Sequence, residues 1–328
     1  MDSPSLPPLA DLLSTARVVA LPLRQRFRGI DTREAMLLEG PSGWTEFSPF
    51  VEYDDAEAAA WLAGAIDFGW GSTAPLLRDD VRVNATLPAV PPSAVVGVLA
   101  RFPGCRTVKV KVGEPGQVLA DDVARVGEAR AVLGPEGRIR VDANGGWNVD
   151  EAEHAVHALA RFDLEYLEQP CATVEELAEL RTRVKYMGIP VAADESVRKA
   201  EDPLAVARAG AADVLVIKAQ PLGGITGALR IVRAAGLPVV VSSALDTSVG
   251  ISMGLHLAAA IDDLPYDCGL ATSALLAADV TTEPLLPVDG AIGVRRVVPD
   301  AAHLDQHAAS PERTAWWLER LERTYALL

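Results

Sequence analysis

The stretch TVKVKVGEPGQVLADDVARVGEARAVLGPEGRIRVDAN, residues 107–144, decides the fold. Its two ends alternate charged and apolar residues with period two, as a half-buried strand does. Its middle, QVLADDVARVGEARAVLG, reads as a helix that ends on Gly134. Strand, helix, strand is the unit of a parallel sheet, and the same rhythm runs on from about Val81. Further candidate strands are VRVNATLPAV, LEYLEQP, PVAADES, VLVIKAQ, LPVVVSS and DCGLAT. Helical stretches such as TVEELAELRTRVKYMG and ITGALRIVRAAG separate them. Eight strands with helical crossovers over about 190 residues predict an α/β fold, a TIM-like (β/α) barrel rather than an open sheet.

Residues 1–80 read differently. RVVALPLRQRF and EAMLLEG look like strands, GWTEFSP ends a meander, and DDAEAAAWLAGAIDFGW reads as one alanine-rich helix. This predicts an α+β domain over 1–80 and the barrel over 81–284. A C-terminal segment of about 285–328, ending in the amphipathic PERTAWWLERLERTYALL, is expected to pack on the first domain or on the barrel.

Composition excludes several classes of function. The net charge of −15, with no basic tract to offset it, argues against a nucleic-acid partner. No run of 18 apolar residues offers a membrane span. Three scattered cysteines outside any CxxC pattern suit a reducing cytoplasm, and each reads as a small core residue. MDSPSLPPLADLL has an early acid and no basic stretch before an apolar run, so it does not read as a signal peptide. Nothing in the sequence sets an oligomeric state.

The chemistry lies in charged residues at strand ends. Lys109 and Lys111 sit in VKVKV, followed by Asp142, Glu168, Asp194 and Lys218. From Lys111 the steps are 31, 26, 26 and 24 residues, about one strand-plus-helix unit each. In a parallel barrel such groups converge at one mouth. Strand alternation puts Lys109 and Lys111 on one face and Val108, Val110 and Val112 on the other. It likewise groups Arg138, Arg140, Asp142 and Asn144 on one face, and Lys218 with Val214 and Val216. A desolvated lysine beside another cation becomes a base near neutral pH; the alternative is a lysine pair on an exposed edge strand. Three clustered carboxylates suit a divalent metal such as Mg²⁺; the alternative is a structural network with Arg138, Arg140 or the lysines. Near-equal spacing, with each acid ending a strand, favours the metal.

Other residues carry weaker signals. Gly223 and Gly224 either present N–H groups to an anion or form a plain turn. Ser242 and Ser243 either bind a substrate carboxylate or cap a helix. The five histidines show no ligand spacing with the acids, and no GxSxG, Walker or GxGxxG pattern is present.

With KxK, D, E, D and K in this order, the chain resembles the enolase superfamily over nearly its whole length. The resemblance implies an N-terminal capping domain over a (β/α)7β barrel. It places metal ligands at the ends of the third to fifth strands and bases at the second and sixth. The lone lysine after KxK points to the branch of muconate cycloisomerases, dipeptide epimerases, N-acylamino acid racemases and o-succinylbenzoate synthases. RVDANGGW, the double glycine after VIKAQPL, VSSALDTSVG and CGLATSALLAADV look most like the last family. DCG stands where dipeptide epimerases typically carry DxD.

The resemblance implies a small-molecule carboxylate substrate and Mg²⁺ on Asp142, Glu168 and Asp194. Lys111 would be the proton carrier in a syn dehydration through a metal-stabilised enediolate, with Lys109 lowering its pKa and Lys218 acting as a cation on the opposite face. Arg140 and Asn144 would support the acids from behind. Ser242, Ser243, Gly223 and Gly269 would contact substrate, and the segment around Arg26–Arg33 would help close the site. A racemase or epimerase of the same branch is the rival expectation.

Overall fold

The computed structural model describes residues 6–72, 74–198 and 203–328. Its strands are β1 (Arg17–Phe27), β2 (Ile30–Gly40), β3 (Gly43–Phe47), β4 (Asp80–Arg82), β5 (Ala85–Leu87) and β6 (Thr107–Lys111). They continue with β7 (Arg138–Asp142), β8 (Leu164–Glu168), β9 (Val191–Ala193), β10 (Val214–Ile217), β11 (Val239–Val241) and β12 (Ala291–Gly293). The helices are α1 (Leu9–Thr15), α2 (Asp55–Trp70), α3 (Val95–Leu99), α4 (Leu119–Leu133), α5 (Val149–Leu159) and α6 (Val174–Val184). Next come α7 (Glu195–Arg198), α8 (Ala205–Arg208), α9 (Gly224–Ala235), α10 (Ser248–Ala259), α11 (Ala301–Gln306) and α12 (Pro311–Tyr325).

β1, β2 and β3 form the expected antiparallel meander. Arg28 and Gly29 turn β1 into β2 with φ of 49° and 77°, the left-handed pair a tight hairpin needs. Helix α2 begins where the Asp54 side chain accepts from Glu57 N at 2.8 Å. It buries Trp61, Leu62 and Ile66 against Met36, Leu38, Phe47 and Phe50. Trp317 and Leu321 of α12 join the same cluster. The C-terminal segment also reaches β4, with which β12 pairs antiparallel.

β5 to β11 form a seven-stranded sheet in chain order, parallel throughout. Alternation sorts its side chains as expected. Val108, Val110, Ile139, Val141, Leu215 and Ile217 enter the main core with the helices. Tyr166, Ala192, Val214, Val216 and Val240 form a separate small cluster on the other face.

The ends of the series depart from the sequence expectation. VRVNATLPAV splits, because β4 turns away to pair with β12 and the parallel sheet begins only at Ala85. DCGLAT makes isolated parallel bridges, Val83 with Cys268 and Ser242 with Gly269, instead of a ladder. Asn84 N donates to Cys268 O at 2.9 Å and Gly269 N to Val241 O at 2.8 Å, so this segment touches both edges of the sheet. No helix among the described residues is long and apolar enough to cross a membrane.

Candidate active site

The register of the parallel strands assembles the site. Lys111 pairs with Asp142, and Asp142 with Glu168, so the last residues of β6, β7 and β8 form one row. Asp194 and Lys218 follow the last residues of β9 and β10. All of these, with Lys109, are buried: the lysines are 7–8 % exposed and the acids at most 1 %. The two VKVKV lysines are therefore interior, which rules out an exposed edge. Lys111 Nζ lies 2.5 Å from Asp142 Oδ2, and Lys109 Nζ lies 2.7 Å from Glu168 Oε1 and 3.2 Å from Asp142 Oδ2. Lys218 Nζ lies 2.5 Å from Asp194 Oδ2.

These contacts divide the two neighbouring lysines electrostatically. Burial opposes the charge of Lys109, but Glu168 and Asp142 outweigh it and hold the ammonium well above the ordinary lysine range. For Lys111, burial and then the charge of Lys109 prevail over Asp142 and draw it below that range. Burial alone would raise Asp142, yet Lys111 and Lys109 hold it well below the usual carboxylate range. Glu168 is pushed up by burial and by Asp142. Side by side on one strand face, the two lysines are thus drawn to opposite sides of the ordinary lysine range.

The donor set suits a hard divalent cation: three buried carboxylates on adjacent strand ends. Glu168 Oε2 is buried and has no hydrogen-bond partner among the described residues. An orphaned carboxylate oxygen is costly without a cation or donor. Among the described residues, no three His, Cys, Asp or Glu side chains are arranged as a closed ligand set; lysine ammonium groups stand among the acids instead. The residues thus fit a cation by chemistry and burial.

The row opens into a narrow cavity lined by Lys109, Lys111, Asn144, Glu195, Lys218, Ser242 and Ser243, with Phe27, Arg28 and Phe50 from the N-terminal sheet. The Lys111 ammonium sits 5.6 Å from the Phe27 ring centroid. Ser242 and Ser243 face this cavity and do not cap α10, whose N-cap is Thr247. Asn144, at φ 49°, accepts from Lys111 Nζ at 2.6 Å, and its backbone N–H donates to Asp142 Oδ1 at 3.0 Å.

Three expectations need correction. Arg140 does not back the acids: it bonds Glu165 Oε2 at 2.5 Å, Asn84 Oδ1 at 3.0 Å and Asp267 O at 2.6 Å. It sits two residues before Asp142 on β7, one inward-facing layer below the mouth. Gly223 donates its N–H to Gln220 O at 3.2 Å in a turn and does not line the cavity. A Cβ on neighbouring Gly224 would lie 2.4 Å from Asp67 Cβ, so this turn is where α2 docks. Gly269 also lies behind the wall: its carbonyl accepts from Ser243 Oγ at 2.7 Å, and a Cβ there would meet Ser242 Oγ at 2.5 Å.

Sequence reasoning overlooked Gln169. Its Oε1 accepts from Asp194 N at 2.9 Å and Ser196 N at 3.2 Å, fixing the turn that carries Asp194. A polar residue directly after Glu168 was the available signal. Glu195 and Phe50 were also missed, since neither stands in a spaced series. Cys105, Cys171 and Cys268 lie in or against the main core, and burial pushes each thiol up to about 12, which suits packing rather than nucleophilic work.

Residues 97–301 match the Enolase C-terminal domain-like family and residues 18–76 the Enolase N-terminal domain-like family. An o-succinylbenzoate synthase of Mycobacterium marinum is 58% identical over 321 residues, covering 98% of this chain and 96% of that protein. One from Mycobacterium tuberculosis is 57% identical over 326 residues, covering 99% and 98%. Among solved structures, a muconate lactonizing enzyme of Pseudomonas fluorescens has a TM-score of 0.76 at 20% identity, covering 90% of this chain and 98% of that one. An L-Ala-D/L-Glu epimerase of Bacillus subtilis has a TM-score of 0.73 at 24% identity, covering 85% and 95%. With the lysine and carboxylate row in place and both domain families matched, the chain belongs to the enolase superfamily, among the o-succinylbenzoate synthases.

Proposed function

We propose that the chain catalyses the o-succinylbenzoate synthase reaction, loss of water from 2-succinyl-6-hydroxy-2,4-cyclohexadiene-1-carboxylate to give 2-succinylbenzoate. The observation that carries the reading is the buried row Lys111, Asp142, Glu168, Asp194 and Lys218 at the strand ends. The substrate assignment rests on identity with the o-succinylbenzoate synthases. It is supported by the sequence DCG at 267–269, which stands where dipeptide epimerases typically carry DxD. We assign 81–284 to a (β/α)7β barrel closed by the segment around Cys268. Residues 1–80, with about 285–328 packed on them, form its cap.

Lys111 takes the proton from the ring carbon that bears the carboxylate, its lone pair made accessible by burial and by Lys109. A divalent cation such as Mg²⁺, held by Asp142, Glu168 and Asp194, would neutralise negative charge building on the substrate carboxylate. Lys218, separated from Lys111 by three intervening strands of the curled sheet, faces the other side of the ring as an ammonium paired with Asp194. Lys111 then returns its proton to the departing hydroxyl on the same face, so water leaves and the ring becomes aromatic. Ser242 and Ser243 offer hydroxyls to the substrate, and Phe27 and Phe50 exclude water.

The test is a steady-state assay on the cyclohexadiene carboxylate after chelation and again after Mg²⁺ is restored. Dehydration lost on chelation and regained with Mg²⁺ is expected. Deuterium exchange at the alpha carbon of N-succinyl amino acids in D₂O, without dehydration of the cyclohexadiene, would overturn the reading in favour of a racemase.

A further inference from the structure

The junction between the N-terminal domain and the parallel sheet contains a buried polar network that the chemistry above does not use. Glu46, at the end of β3, is fully buried. Its Oε2 accepts from Thr247 N at 3.1 Å, Thr247 Oγ1 at 2.5 Å and Gly250 N at 3.1 Å. These donors lie at the N-terminus of α10, so a carboxylate from one domain caps a helix of the other. Gly250 is required for this, because a Cβ there would lie 2.8 Å from Glu46 Cδ.

Glu46 Oε1 accepts from Ser48 Oγ at 2.5 Å, and Ser48 Oγ accepts from Arg33 Nη2 at 3.0 Å. Arg33 is itself buried and touches two walls of the cavity. Its guanidinium lies 4.4 Å from the Phe50 ring centroid, and its Nε donates to Leu245 O at 3.2 Å. Leu245 has φ 64°, a left-handed backbone that a leucine adopts only when its surroundings hold it. Ser48 N donates to Gln220 Oε1 at 3.3 Å, two residues past Lys218. One network therefore reaches the Phe50 loop, the Ser242–Leu245 wall and the turn after Lys218.

We propose that Arg33 and Glu46, joined through Ser48, are positioning residues that lock the N-terminal domain onto the β11–α10 loop and so set the substrate-contacting walls at Phe50 and Leu245. The proposal rests on the dehydratase reading for its kinetic arm only. The experiment compares wild type, Glu46→Ala, Glu46→Gln and Ser48→Ala. It uses dehydration kinetics with Mg²⁺ and amide hydrogen exchange of residues 242–250. Glu46→Ala should lower kcat/KM by about tenfold, mainly through KM, and Glu46→Gln, which keeps an acceptor, should return it to within about threefold. The amides of Thr247 and Gly250 should exchange at least about tenfold faster in Glu46→Ala than in wild type or Glu46→Gln.

Wild-type kinetics in a folded Glu46→Ala, or unchanged exchange at those amides, overturns the proposal even if the melting temperature falls. Where Glu46→Ala does not fold, Ser48→Ala decides: a raised KM supports the lock and an unchanged KM overturns it. A wild type that does not dehydrate the cyclohexadiene removes the functional reading, while the exchange arm still decides the lock.

Discussion

Glu46→Gln should abolish a pH-dependent loss of stability that the wild type suffers. Burial, and then the charge of Asp246, push the Glu46 carboxyl up to about 7 from its ordinary 4.5, against the pull of Ser48, Thr247 and Arg33. Between those two pH values the unfolded chain has released this proton and the native protein still holds it. Native stability therefore falls as pH rises through the window and levels off above it. At about 1.4 kcal/mol per pH unit, the gap amounts to about 3 kcal/mol at alkaline pH. For a chain of this length, about 2.1 cal/mol/K of unfolding entropy per residue makes that about 4 °C in melting temperature. Glutamine still offers an oxygen to Thr247 and Gly250 but does not titrate. Melting curves of both proteins from pH 5 to pH 8 isolate the effect of Glu46 and its partner Asp246, since groups that do not interact with this pair cancel in the difference. The variant's advantage should widen by about 4 °C over that range. An advantage constant to within about 1 °C would refute the argument that this carboxylate is ionised at a cost.

Two further outcomes follow from the geometry. Lys111→Ala should reduce kcat by at least about a thousandfold with an unchanged far-UV circular dichroism spectrum, and retained turnover would remove its role as proton carrier. Arg320 of α12 donates to Phe50 O at 3.2 Å and to Tyr53 O at 2.6 Å, so it holds the loop that carries Phe50. Arg320→Met strands the Tyr53 carbonyl, while Phe50 O keeps Tyr53 N at 3.1 Å, and should cost about 2 kcal/mol, about 3 °C in melting temperature by scanning fluorimetry; a loss below about 1 °C would mean that the Tyr53 carbonyl finds another donor.

The row of lysines and carboxylates was legible in the sequence because strand alternation and strand–helix repeat length are local properties. Period two tells which face Lys109, Lys111, Asp142 and Lys218 share, and the repeat tells that they recur at strand ends. The N-terminal meander and helix α2 were legible on the same grounds. Depth along a strand was harder to read. Arg140 shares a face with Asp142, but only the register with β6 and β8 shows it one layer lower, bonded to Glu165 and Asn84. Gly223 and Gly224 advertise a turn, and only the approach of Asp67 on α2 reveals what the turn is for. Glu46 in GWTEFSP carries no signal at all, because its partners Thr247 and Gly250 stand about two hundred residues away. The sequence by itself determined which charged residues meet at the strand ends. How the domains meet, and hence which groups close the site, was decided by tertiary packing, since contacts between distant surfaces leave no periodicity in the chain.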